Sequence, residues 1–180
     1  LIKYLPNALT ILRIVLTPVF IGLTFYATGT TAITWALIVF VVAAITDWLD
    51  GMLARRLGII SNFGKIWDPL ADKFIVLSAL AALTWKAPFA LNSFIFYIIF
   101  IREIAVTIMR EVYARKQIIV AADRWGKLKT ILQMVGIVLC LCFWAIGYYP
   151  SYIIIGSQVW FWIVAVVTVL SGLNYLRIKH

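Results

Sequence analysis

The sequence predicts an all-α integral membrane protein of six transmembrane helices with both termini in the cytoplasm. Three observations predict it. Of the 180 residues, 64% are hydrophobic and only 13% charged, against roughly 25% charged in an ordinary soluble domain. The mean hydropathy of +1.03 represents more apolar surface than a soluble fold of this size could bury. The apolar runs are about 20 residues long, which suits a membrane-crossing helix rather than the alternating strands of about ten residues in a barrel. The same composition excludes a disordered chain, and two cysteines are too few for a disulfide-stapled module.

Six runs read as spans: residues 8–27, 31–54, 66–86, 89–112, 127–147 and 152–175. The connections are short except 113–126. No linker, repeat or low-complexity segment divides the chain, so a single domain over 1–180 is expected. The first run is long and lacks a small-residue cleavage site, which argues against a cleavable signal peptide. It opens Pro6-Asn7-x2-Thr10-x2-Arg13, followed by Pro18. Asn7, Thr10 and Arg13 recur every three residues and share one helix face. The plain structural reading is a capped helix start with Arg13 snorkelling toward the interface.

Spans 2 and 3 carry the chemistry. Four of the seven acids fall within 26 residues: Asp47 and Asp50 near the end of span 2, Asp68 and Asp72 near the start of span 3. An ionisable residue at membrane depth is costly and therefore functional by default. Spacings of three and four put each pair on one helix face. Asp47 precedes Arg55 by eight residues, about 12 Å at 1.5 Å per residue. Asp72 follows Lys65 by seven on a helix that runs back, so the pairs lie at similar depth. Four carboxylates brought together repel one another unless cations join them. The ligands are all hard oxygens, with no His or Cys beside them, which suits Mg²⁺ or Mn²⁺, as one ion or two. Two such ions clamp a phosphoryl group in displacement chemistry. The plainer alternative pairs each Asp with Arg55, Arg56, Lys65 or Lys73. Gly51 and Gly64 sit where a missing side chain lets a ligand approach the backbone, or where helices simply pack.

Spans 4 and 5 carry Arg102-Glu103, Arg110 and then Gly126-Lys127-x-Lys129-Thr130-x2-Gln133. Gly126, Lys129, Thr130 and Gln133 fall at i, i+3, i+4, i+7, a polar stripe of the kind that faces a cavity. Arg110, Lys127 and Lys129 offer a phosphate-binding set, with Arg110 able to make a two-pronged contact. Arg115, Lys116 and Arg124 read as solvated loop charge. Cys140 and Cys142 point to different helix faces and cannot bond to each other. Tyr148, Tyr149, Tyr152, Trp160 and Trp162 near the start of span 6 resemble an interfacial aromatic belt.

Net charge is +9 from 16 basic and 7 acidic residues. The charges sit between apolar runs, so anionic lipid or phosphorylated substrates fit as partners and nucleic acid does not. The first, third and fifth connections carry Lys86 and no other basic residue, leaving 15 on the opposite side. The positive-inside rule places that side in the cytoplasm.

The segment Asp47-x2-Asp50-Gly51-x2-Ala54-Arg55-x8-Gly64-x3-Asp68-x3-Asp72 resembles the complete signature of the CDP-alcohol phosphotransferase family. The resemblance implies a six-helix membrane enzyme, usually a homodimer, in the cytoplasmic (inner) membrane with its site facing the cytoplasm. It implies transfer of a substituted phosphoryl group from a CDP-linked donor to an alcohol, with release of CMP. It further implies that Asp47, Asp50, Asp68 and Asp72 hold two Mg²⁺ or Mn²⁺ ions, with Asp72 also the general base. Gly51, Ala54, Arg55 and Gly64 line the nucleotide site, with Ser61 near its phosphates. The Asn7–Arg13 stretch and the pattern REI…R…GKxKTxxQ are similar to the branch that moves phosphatidyl from CDP-diacylglycerol to sn-glycerol 3-phosphate, with Asn7 and Thr10 at the nucleotide. Other acceptors (inositol phosphate, serine, another polyol) are the alternative. A divalent-cation transporter is the remote one, disfavoured because the outer half has no acid to relay an ion.

Overall fold

The computed structural model describes residues 5–57, 62–115 and 124–176. Side chains are described there except at 5–7, 48, 50, 51, 53–57, 62–72, 111, 114–115, 124 and 173–176. The described residues form α1 (Leu5–Ile21), a π-helical turn (Gly22–Tyr26), α2 (Thr30–Leu57), α3 (Asn62–Trp85), α4 (Ser93–Arg115), α5 (Arg124–Ala145) and α6 (Ser151–Leu176). There is no strand among them, as the composition requires.

Each expected span corresponds to one helix. The helices outrun the apolar segments at the basic ends: α2 continues past 54 to Leu57, α3 starts at Asn62 rather than 66, α4 continues past 112 to Arg115, and α5 starts at Arg124 rather than 127. Hydropathy ends there but helicity does not, because Arg and Lys are good helix formers.

Among the described residues, four segments are long and apolar enough to cross a membrane: Ala8–Tyr26, Thr30–Asp47, Trp125–Ala145 and Ser151–Gly172. The protein is a helical membrane protein. Within α4, Arg102, Glu103 and Arg110 interrupt the apolar sequence, and in the described part of α3 the apolar stretch is Lys73–Trp85.

The first helix is locally rewound. Pro18 lies inside α1 and cannot donate to the preceding turn. The helix passes into the π turn, closed by Ala27 N–H on Gly22 O at 3.1 Å. The Thr24 hydroxyl donates to Phe20 O at 2.9 Å, a bond of the kind that eases a helix distortion.

The chain forms two compact units. The first comprises Leu1–Ala82 with Leu141–Tyr148. In it, α1 packs on α2. The buried face of α1 is Thr10, Arg13, Thr17 and Phe20, continued by Thr24 of the π turn, while Ile11, Val15 and Val19 face outward. Apart from Phe20 the inward residues are polar, as expected of a helix whose solvent is lipid. The facing stripe of α2 is Ile33, Ala36, Phe40 and Ala43. The alanines permit close approach, and the Phe20 and Phe40 rings lie 6.0 Å apart.

The second unit comprises Leu83–Cys140 with Tyr149–His180. Its core contains Ile95, Ile99 and Val106 of α4, Ile137 and Cys140 of α5, and Phe161, Val164 and Ala165 of α6. Helix α5 approaches α6 at Gly136, where a Cβ would stand 2.6 Å from Trp160 Nε1. Trp160 therefore ties the helices, donating to Leu132 O at 3.0 Å. Tyr149, Tyr152 and Trp162 stay exposed. The Gln158 amide spans the turn before α4. It donates to Phe89 O and Ala90 O at 3.2 and 2.8 Å and accepts from Asn92 N at 3.2 Å. That clamp holds Ala90 at φ +41°, a left-handed conformation unusual for alanine. Both cysteines are free thiols, with Cys140 buried.

Candidate active site

In the first unit the acidic segment occupies the last turns of α2 and the first turns of α3. Asp47 lies ten residues before Leu57, the end of α2, and Asp72 ten residues after Asn62, the start of α3. Asp50 and Asp68 are seven and six residues from the same ends. At 1.5 Å per residue the pairs lie roughly 10–15 Å in from the two ends. Helical backbone through both segments keeps the spacings of three and four on one face each.

Asp47 is the acid whose side chain is described. The Arg13 guanidinium is fully buried, and its Nη1 donates to Asp47 Oδ1 at 2.5 Å. The carboxylate keeps 45% of its surface open. One oxygen is thus anchored by a charge-assisted bond, while the group stays accessible from another side. Arg13 does not snorkel to the interface. Its turn is braced by the Thr17 hydroxyl on Arg13 O at 2.9 Å, and Thr10, one turn earlier, is also fully buried. The link from α1 to the acid cluster was missed as an ion pair in the sequence. The signal for it was the continuation of the Thr10–Arg13 face through Thr17 and Thr24.

The side chains of Asn7, Asp50, Gly51, Ala54, Arg55, Gly64, Asp68 and Asp72 lie outside the described residues, as does Ser61 altogether. Among the described residues no cluster of three metal-ligating side chains occurs, three of the four acids not being among them.

The second unit holds a separate polar cluster on α4, α5 and α6. Lys129 is buried and its Nζ donates to Glu103 Oε1. Arg102 donates through Nη1 to the same oxygen at 3.4 Å and through Nη2 to Ser171 Oγ at 2.7 Å. Gly172 makes room for the arginine stem, since a Cβ there would lie 3.3 Å from Arg102 Cγ. Among the described residues the cluster holds two cations, Arg102 and Lys129, and one anion, Glu103. The expected polar stripe of α5 divides. Lys129 and Gln133 turn inward. Lys127 and Thr130 face outward, the Thr130 hydroxyl donating to Gly126 O at 3.1 Å. Arg110 is exposed on α4, two turns past Glu103. Of the three residues expected to hold an acceptor's phosphate, Lys129 is thus inside this cluster, while Lys127 and Arg110 are exposed on α5 and α4. Glu103 and Ser171 are further members of the cluster. A lone hydroxyl in an apolar run was the one signal for Ser171.

Comparison with known proteins adds the chemistry. A sequence profile described as CDP-alcohol phosphatidyltransferase matches residues 3–173. A Rickettsia typhi protein named CDP-diacylglycerol--glycerol-3-phosphate 3-phosphatidyltransferase is 36% identical over 175 residues, covering 97% of this chain and 96% of its own length. A Mycoplasma pneumoniae protein of the same name is 35% identical, covering 84% and 81%. A Mycobacterium tuberculosis protein named probable phosphatidylglycerophosphate synthase is 40% identical over 141 residues, covering 76% and 65%. With the acidic segment inside the matched range, the chain belongs to the CDP-alcohol phosphatidyltransferase family.

Proposed function

We propose that this protein is a phosphatidylglycerophosphate synthase, transferring phosphatidyl from CDP-diacylglycerol to sn-glycerol 3-phosphate and releasing CMP. The observation that carries this reading is near full-length similarity to relatives named for that reaction. The buried cations Arg102 and Lys129 support it, because a phosphorylated acceptor needs cationic groups beside it.

The donor set of Asp47, Asp50, Asp68 and Asp72 fits Mg²⁺ or Mn²⁺: every ligand is a hard oxygen, and the Asp47 carboxylate stays open while anchored on one side. Two such ions would neutralise the donor's diphosphate and the departing CMP. Gly51, Ala54, Arg55, Ser61 and Gly64, with Asn7 and Thr10, form the nucleotide site in this reading. Arg110, Lys127 and Lys129 hold the acceptor's phosphate. Asp72 takes the proton of the attacking hydroxyl. A new O–P bond forms at the phosphatidyl phosphorus as the bond to CMP's oxygen breaks, with no covalent enzyme intermediate.

Six spans form one domain in the cytoplasmic membrane, with the site facing the cytoplasm, where CDP-linked substrates are found. The family match running from residue 3 to 173 supports the single domain. The active unit is a homodimer. The experiment is CMP release from CDP-diacylglycerol by the purified protein with Mg²⁺ or Mn²⁺, across glycerol 3-phosphate, serine, inositol phosphate and unphosphorylated polyols. Preference for serine or inositol phosphate would overturn the acceptor and leave the family intact.

A further inference from the structure

Among the described residues, the buried hydroxyl and amide side chains are, with two exceptions, engaged in hydrogen bonds. Five helical threonines, Thr17, Thr24, Thr34, Thr107 and Thr130, donate to the carbonyl four residues earlier. The Gln158 amide makes three bonds. Thr168 and Gln133 differ. Thr168 is fully buried on α6, yet its Oγ1 has no partner among the described residues and does not fold back on its own helix. Gln133 is 2% exposed on α5, and its Oε1 likewise has no partner. A buried polar group left unpaired costs about 1–3 kcal/mol, so two of them in one unit are a reason to look for a ligand.

Their placement narrows the ligand. Gln133 stands one helical turn beyond Lys129 on the same buried face of α5. Thr168 stands one turn before Ser171, whose hydroxyl accepts from Arg102 and donates to Thr168 O at 2.9 Å. Both unpaired groups therefore border the Arg102, Glu103 and Lys129 cluster of the second unit. A phosphate answers the charge but offers an amide oxygen no hydrogen. A hydroxyl does, and it can also accept from the Gln133 amide nitrogen or the Thr168 hydroxyl. A group with a phosphate and a neighbouring hydroxyl satisfies the whole set.

We infer that Gln133, assisted by Thr168, reads the secondary hydroxyl of the acceptor and thereby selects a glycerol phosphate over a phosphorylated alcohol lacking it. This rests on the acceptor reading above. The primary hydroxyl, less hindered, is the nucleophile. The hydroxyl at C2 is the one left to be recognised, and Gln133 is a specificity-determining residue rather than a participant in the displacement.

The test compares sn-glycerol 3-phosphate with 3-hydroxypropyl phosphate, which keeps the phosphate and primary hydroxyl and lacks only the one at C2. The full chain in detergent micelles is assayed for CMP release from CDP-diacylglycerol. The wild type should favour glycerol 3-phosphate in kcat/KM by about 10- to 100-fold, the cost of leaving buried polar groups unpaired. Gln133→Met, similar in volume, should bring the two acceptors to within about threefold of each other, through loss on glycerol 3-phosphate alone. Its KM for CDP-diacylglycerol should not move, which a merely structural defect would not spare. If Gln133→Met does not fold, Gln133→Asn, which withdraws the amide by one methylene, serves the same comparison. A wild type indifferent to the C2 hydroxyl, or a variant that discriminates as the wild type does, overturns the inference; the amide then meets only a buried water. Turnover with serine or inositol phosphate but neither glycerol-type acceptor overturns the acceptor reading itself.

Discussion

Glu103 is the only anion among the described members of the second unit's polar cluster, and Glu103→Gln tests how that cluster is held together. Its carboxylate faces Lys129 and Arg102, with side-chain exposures of 12, 7 and 12% respectively. These are low enough that solvent screening gives little relief. The substitution keeps the shape and one acceptor oxygen but raises the formal charge of the described members from +1 to +2. Removing one partner from a buried ion pair costs about 3–5 kcal/mol. The retained amide oxygen puts the expectation near the lower figure, about 3 kcal/mol. That is roughly a hundredfold or more in the unfolding constant. Adding Lys129→Met returns the formal charge to +1 and should recover at least half of the loss. Inorganic phosphate should stabilise the single variant more than the wild type, because it supplies the missing negative charge. The assay is unfolding by SDS in mixed micelles, followed by circular dichroism. A loss below about 1 kcal/mol, the value of a solvent-exposed pair, would refute the picture of a buried, mutually compensated cluster.

Three further outcomes are expected. Asp72→Asn should lower turnover by roughly 10²–10⁴-fold, as for a lost general base, while CDP-donor binding measured by calorimetry largely persists; near-normal turnover would remove Asp72 from that role. Gly136→Ala should destabilise by about 1–3 kcal/mol, because the added Cβ meets the Trp160 ring at 2.6 Å, and should weaken the Trp160 bond to Leu132 O, read as a shift in tryptophan emission. In a Cys140→Ala, Cys142→Ala background, Tyr149→Cys should be labelled from outside intact cells and His180→Cys should not; the opposite result would invert the topology.

How much was legible in the sequence follows from what each signal measures. Hydropathy reports transfer from water to lipid, so it located all six helices but stopped short of Leu57, Arg115 and Arg124, where helix continues through charged residues. The acid spacing survived translation into helix because i, i+3 and i+4 relations are local. Partners distant in sequence were not legible. Arg13 and Asp47 are 34 residues apart, and nothing local to either says they meet. Lys129 read as a ligand cation, yet its partner Glu103 sits 26 residues away on another helix. Trp160 read as part of an interfacial belt because composition cannot distinguish a ring facing lipid from one bonded to Leu132 O on a neighbouring helix.

The Arg13–Asp47 pair also bears on how the protein enters the bilayer. An arginine within a membrane-spanning helix costs up to about 2.5–3.5 kcal/mol on insertion scales, and the counter-charge of Asp47 on α2 offsets it. During synthesis that counter-charge does not yet exist when α1 leaves the ribosome. It follows 34 residues later, roughly 2–7 s at ordinary elongation rates of about 5–20 residues per second. In that interval the cation favours the membrane–water interface over the bilayer interior. Only after α2 has emerged can α1 turn its threonine-lined face inward. The first two helices are thus built to enter as a hairpin rather than one after the other, and a chain interrupted before Asp47 would leave α1 tethered at the membrane surface.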